Sequence, residues 1–131
     1  MLETTNIPSE LKNAIEAKGY EDLTVVQNLV LEKQNKGKDL LVSSQTGSGK
    51  TLAYGLSISS DTLQNYCESN KALTALIVTP TRELALQVFH ELTWLFSKTS
   101  LTMSTAIGGM DIKKERRNIT KGINLLVGTP G

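Results

Sequence analysis

From residue 9 onward the apolar positions Leu11, Ala14 and Ile15 recur at helical spacing, with Ser9 placed as an N-cap and Gly19 just past the last turn. This predicts a short amphipathic helix. A second helix is expected to start near Thr24 and to carry Val26, Leu29 and Val30 as far as the turn at Asn35, Lys36 and Gly37. The period then changes. Residues 39–43 hold the unbroken apolar run Leu40, Leu41 and Val42, which predicts a strand ending in a glycine-rich turn that opens a helix at Lys50.

The alternation repeats downstream. Residues 74–79 (TALIVT) read as a strand, and residues 82–97 as a helix with Leu84, Val88, Leu92 and Leu95 on one face. Residues 101–106 form a weaker strand, 112–119 a short charged helix, and 123–128 (INLLVG) a fourth strand. Apolar runs of this kind suit strands buried on both faces, and helices between them imply a parallel sheet with right-handed crossovers. The fold class expected is α/β, a parallel sheet flanked by helices. Residues 57–71 are polar and weakly periodic, so they are expected to hold the end of the third helix and a surface connection containing Cys67. The sequence stops at Thr129, Pro130 and Gly131, straight after a predicted strand, which leads to the expectation of a sheet incomplete at its carboxyl end.

Composition narrows the class without choosing a function. At 131 residues, 39% apolar and 21% charged, the chain can fold as one domain and lies far from the signature of disorder. Fourteen basic against 13 acidic residues leave a net charge of +1, so any contact with a polyanion has to be local. A single cysteine cannot form an internal disulfide and has no metal-ligand spacing around it, which fits a reducing compartment. No apolar run approaches the roughly 20 residues that span a bilayer, and no signal-peptide pattern opens the chain. The expected location is cytoplasmic, with no membrane partner, and oligomeric state is not readable.

The strongest chemical signal is residues 44–51, SQTGSGKT, a phosphate-binding loop with serine where the general pattern has its first glycine. Polyphosphate requires inward-pointing backbone amides. Gly47 and Gly49 allow the backbone to approach, and the helix opening at Lys50 adds its positive dipole end. In this reading Ser44, Gln45, Thr46, Gly47, Ser48 and Gly49 form the cradle, Lys50 faces the β and γ phosphates, and the Thr51 hydroxyl is a ligand for Mg²⁺.

Two flanking blocks point to a family. Residues 19–27 (GYEDLTVVQ), with Tyr20 after a glycine and Gln27 ahead of the loop, resemble the Q motif of DEAD-box ATP-dependent RNA helicases, and residues 80–87 (PTRELALQ) resemble that family's second block. The chain is thus similar to part of the amino-terminal RecA-like lobe of such a helicase. The Q-motif region falls in residues 1–27, and the phosphate loop and RNA-backbone segments fall in 39–131.

The resemblance implies ATP and Mg²⁺ as ligands, with Tyr20, Gln27 and residues 44–51 binding ATP and Lys50 the one residue with a catalytic part. The amide of Gln27 would read adenine in preference to guanine. It implies RNA as partner, held by its backbone irrespective of sequence, through Pro80, Thr81 and Arg82, the pair Gly108 and Gly109, and Thr129, Pro130 and Gly131, which are similar to the family's TPGR block. The activity implied for the full protein is RNA duplex unwinding coupled to ATP hydrolysis. Nucleotide or RNA binding without catalysis is the alternative.

By residue type alone several of these positions also fit plainer roles. Arg82 and Glu83 suit a solvated first turn, Gly108 and Gly109 an ordinary turn, and Gln27 an exposed helix position. The basic cluster Lys113, Lys114, Arg116 and Arg117, around Glu115, reads first as a solvated helix face, with RNA contact as the other possibility. His90, Trp94 and Phe96 read as packing or surface residues. The chain departs from the Q motif at Leu23 and Val25, where prolines are usual, and at Leu2, where the family has an aromatic. No Asp-Glu-Ala-Asp block occurs in it, so the 131 residues by themselves are expected not to turn over ATP.

Overall fold

A computed structural model describes residues 6–64, 72–109 and 111–131. The first helix, α1, is Ser9–Ala17, and its buried stripe is Leu11, Ala14 and Ile15. Its N-cap is Pro8 rather than Ser9. The ring of Pro8 presets the entry at φ −54°, and the Ser9 hydroxyl donates to Glu10 instead of capping. Helix α2, Val25–Val30, begins at a capping box: Thr24 Oγ1 accepts from the amide of Gln27 at 3.4 Å, and Gln27 Oε1 accepts from the amide of Thr24 at 3.0 Å. With so short a helix only Val26, Gln27 and Val30 are buried, and Leu29 stands out in solvent against expectation. A 3₁₀ turn at Lys33–Asn35 follows.

Helix α3, Lys50–Gln64, and helix α4, Arg82–Leu95, pack on each other across Gly55. A Cβ built there would lie 2.6 Å from Leu92 Cδ2 and 2.8 Å from Leu95 Cδ2, so the helices approach closely only because residue 55 has no side chain. The buried stripe of α4 is Ala85, Val88, Leu92 and Leu95. Leu84, placed on that face by the sequence pattern, is exposed, because Ala85 takes the inward position in the first turn. Helix α3 runs to Gln64, the helix end expected within residues 57–71, and the connection expected after it lies outside the described residues. The helix buries Ser59, whose hydroxyl donates to the Leu56 carbonyl, and Thr62. Cys67 and Leu2 lie outside the described residues.

The sheet has three parallel strands: β1 (Ala75–Val78), β2 (Met103–Ala106) and β3 (Leu125–Gly128), in the order β1-β3-β2. Val78, Gly128 and Ala106 share one level, so all three strands end together. Their starts are joined by Asn124, which is 1% exposed. Its Oδ1 accepts from the Thr102 amide and hydroxyl, its Nδ2 donates to the Ala72 carbonyl, and its own carbonyl takes the amides of Thr74 and Ala75. Helix α5, Ile112–Thr120, connects β2 to β3 and packs beside β2.

Two strand expectations are corrected. Residues 39–43 are not a strand: none among the described residues pairs with them, and Leu40, Leu41 and Val42 are exposed. Apolar sequence sets the tendency, whereas a strand exists only where a neighbouring backbone completes its hydrogen bonds. Strand β1 is not buried on both faces: Leu76 and Val78 are more than half exposed, and the central β3 is the best enclosed of the three, with Leu126 half-buried.

Candidate functional site

The loop at residues 44–49 passes from the apolar segment 39–43 into the first turn of α3, as its sequence requires. Gly47 and Gly49 have φ +81° and +86°, the left-handed region that side chains avoid. Among the described residues only Ser48 of the amides from Gln45 to Gly49 has an internal acceptor, the Gln45 carbonyl. The first amides of α3 have none within the helix either. The result is a row of unpaired donors at a helix N-terminus, the arrangement that binds an anion. Lys50 extends back along the loop, and its Nζ donates to the Ser44 carbonyl at 2.5 Å. The Ser44 and Ser48 hydroxyls lie 2.6 Å apart. Thr51 is half-buried, with its Oγ1 3.5 Å from the Tyr54 hydroxyl.

Gln27 sits against this loop and is 5% exposed, so it is no surface residue of α2. Its Nε2 donates to the Gly49 carbonyl at 3.1 Å while its Oε1 takes the Thr24 amide. A side-chain amide has two lone pairs and two N–H bonds, so one of each remains for a ligand. A Cβ at Gly49 would run into the Gln27 amide, which makes the glycine a condition of the contact. Tyr20 is found elsewhere: its ring stacks on Trp94 of α4 with centroids 6.0 Å apart, and Lys18 lies 5.4 Å from the Trp94 ring. Phe96 is core, and His90 lies beside Phe89 on the surface.

The other candidate residues meet where the three strands end. Thr81 caps α4 by accepting from the Leu84 amide, and the buried Thr79 donates to the Thr81 carbonyl, which fixes the turn carrying Pro80 and Arg82. The Arg82 guanidinium lies against Gly109, where any Cβ would collide with it. Gly108 and Gly109 both have positive φ. The Thr129 amide donates to the Ala106 carbonyl, and the Thr79 amide to the Gly128 carbonyl, so the segments after β1, β2 and β3 lie side by side.

Sequence reasoning passed over Glu115. Its carboxylate accepts from the Ile107 and Gly108 amides at 2.9 and 3.1 Å and from the Thr105 hydroxyl at 3.1 Å. A lone acid inside a basic run was the one signal that could have singled it out.

Set beside known proteins, residues 24–131 match the sequence model of the family described as DEAD/DEAH box helicase. An ATP-dependent RNA helicase CshA of Limosilactobacillus reuteri is 36% identical over 95% of this chain, which spans 24% of that protein. A probable ATP-dependent RNA helicase ddx18 of Dictyostelium discoideum is 36% identical over 99% of the chain and 22% of its own length. Among solved structures, the RNA helicase Prp28 of Chaetomium thermophilum bound to ADP superposes with a TM-score of 0.86 at 29% identity, covering 98% of this chain and 32% of that one. A hypothetical ATP-dependent RNA helicase of Sulfolobus tokodaii gives 0.80, also at 29% identity, over 95% and 34%. The chain therefore spans less than a third of these relatives, 24% of the first and 22% of the second, and in other curated helicases that it matches as little as 12%.

Proposed function

The chain belongs to the DEAD/DEAH box helicase family, and from that premise we propose that it supplies the nucleotide-binding and part of the RNA-backbone-binding surface of an ATP-dependent RNA helicase. The observation that carries the reading is the set of unpaired amides at Gln45, Thr46, Gly47 and Gly49, with the Lys50 ammonium at one end and the Gln27 amide at the other. Phosphate oxygens would take the amides, and Lys50 would exchange the Ser44 carbonyl for the ligand's charge. The free lone pair and N–H of Gln27 match an adenine edge, which offers an adjacent donor and acceptor.

Mg²⁺ fits as an ion carried with the nucleotide. Thr51 offers one hydroxyl, and among the described residues no group of three or more His, Cys, Asp or Glu is placed to hold a metal. Mg²⁺ commonly keeps water and phosphate ligands, and a single protein oxygen satisfies that habit. When bound, the ion would neutralise phosphate charge. In the complete protein, hydrolysis of ATP coupled to RNA unwinding is the activity we assign. RNA would be gripped at the strand ends by Arg82, by the turn at Gly108–Gly109 on its Gly109 side, since Glu115 holds the Gly108 amide, and by the turn at 129–131, through contacts to the sugar-phosphate backbone.

The test is equilibrium binding of a fluorescent ADP analogue to the wild-type chain and to Lys50→Ala. Removing the one full positive charge on the loop is expected to abolish measurable binding. Equal affinity in the two proteins would remove the phosphate-loop assignment.

A further inference from the structure

Helix α5 carries Lys113, Lys114, Arg116 and Arg117 within five residues, close to a third of the 14 basic residues in a chain whose net charge is only +1. Ordinary solvated helices of this composition balance such charges with acids three or four residues away. This helix does not. Its two acids are turned to the backbone: Asp111 Oδ1 caps the helix by accepting from the Lys114 amide, and Glu115 is held by the two amides and one hydroxyl of the β2 end. All four cations are exposed, and among the described residues none has an ion-pair partner.

Glu115 also fixes the direction in which those charges point. Positions two apart on a helix lie about 160° apart around its axis. With Glu115 held beneath the turn at Ile107 and Gly108, Lys113 and Arg117 are turned to the opposite, open side. The same carboxylate occupies the amides of Ile107 and Gly108, so these are not available to a phosphate. Around the turn stand the Arg82 guanidinium packed on Gly109 and, past the capping carboxylate of Asp111, the cations on the outer face of α5.

We propose that the outer face of α5 is a second RNA-phosphate-binding surface, a continuation of the backbone track that begins at Arg82, with Glu115 as the positioning residue that aims it. The inference rests on the reading of the strand ends as an RNA-backbone site. Its occupant is the sugar-phosphate backbone of single-stranded RNA, because the face offers point charges and no aromatic platform or base-reading amide.

The experiment is the salt dependence of binding to a short fluorescent oligouridylate between about 50 and 200 mM salt, a range in which each lost phosphate contact is visible. The proteins are wild type, the quadruple variant Lys113→Gln, Lys114→Gln, Arg116→Gln and Arg117→Gln, and a charge-matched control with Lys33, Lys36, Lys38 and Lys98 changed to Gln. Glutamine keeps helix propensity close to that of lysine and arginine, and circular dichroism verifies the fold of each.

The slope of log affinity against log salt is expected to flatten by roughly 0.7 for each α5 contact removed, two or three contacts in all, and to keep its wild-type value in the control. Glu115→Ala should flatten it in part with every cation still present, an effect charge counting does not produce. Equal slopes in the quadruple variant and wild type, or equal losses in variant and control, would overturn the proposal. If Arg82→Ala weakens binding while the α5 variant does not, the strand-end site stands and this extension falls. Absence of binding by wild type at low salt removes both.

Discussion

Gln27 connects two motifs that lie far apart in the chain. Its side chain closes the capping box with Thr24 and bonds the Gly49 carbonyl, so the start of α2 and the phosphate loop share one amide. Gln27→Ala deletes both bonds inside a region with little access to water. Each leaves a group partly unpaired at about 1 kcal/mol, so a stability loss of roughly 1–2 kcal/mol in urea unfolding is expected. The sharper outcome concerns ligand choice: the ratio of ADP to GDP affinity should fall toward unity in the variant. A ratio that stays at its wild-type value would show that the adenine edge is read by some other group. Gln27 was legible as a motif residue, but its burial was not, since the same residue type at a helix start is ordinarily solvated. Glu115 and Asn124 were less legible still. Each does its work through backbone groups brought together by strand pairing, and nothing in a linear sequence reports which amides will converge.

At the level of elements, local punctuation was readable in part and packing direction was not. Gly19 ends the turn after α1 with φ +91° and α2 starts from Thr24, as the pattern placed them. Helix α1, however, is capped at Pro8 and not Ser9, and the cap of α4 at Thr81 emerges only in the structure. By contrast, Leu84 and Leu29 satisfied helical periodicity and still face solvent, since a partner helix covers only part of an apolar stripe. Gly55 shows the same limit from the other side. Within α3 it reads as a weak helix former, and its value appears only when Leu92 and Leu95 are seen lying over it. Gly55→Val raises no problem for an isolated helix beyond propensity, yet in the fold it drives three carbons into two fully buried leucines. A loss of roughly 2–3 kcal/mol is expected from overpacking, read as a lower urea midpoint at unchanged slope. A variant as stable as wild type would mean that α3 and α4 can separate freely.

The arrangement of the whole molecule turns on the segment before the phosphate loop. Residues 39–43 have the composition of a buried parallel strand, but they form no ladder among the described residues, and Leu41 is fully exposed. Beside them a groove of about 580 Å³ is walled by Val25, Leu29 and Val30 from α2, and on the edge strand β1 Leu76 and Val78 are also open. The α/β class was readable from alternating periods. Which strand would be paired was not, because pairing belongs to the neighbour as much as to the strand. An exposed apolar run with unpaired backbone groups is a template for another strand. The 131-residue chain is therefore expected to self-associate as its concentration rises, in sedimentation velocity or light scattering. Leu41→Lys places a charge at the most exposed apolar position of that run without touching residues 44–51, so it should suppress association and leave ADP affinity unchanged. Association that persists undiminished in Leu41→Lys would assign the sticky surface to another face, with the exposed side of β1 next in line.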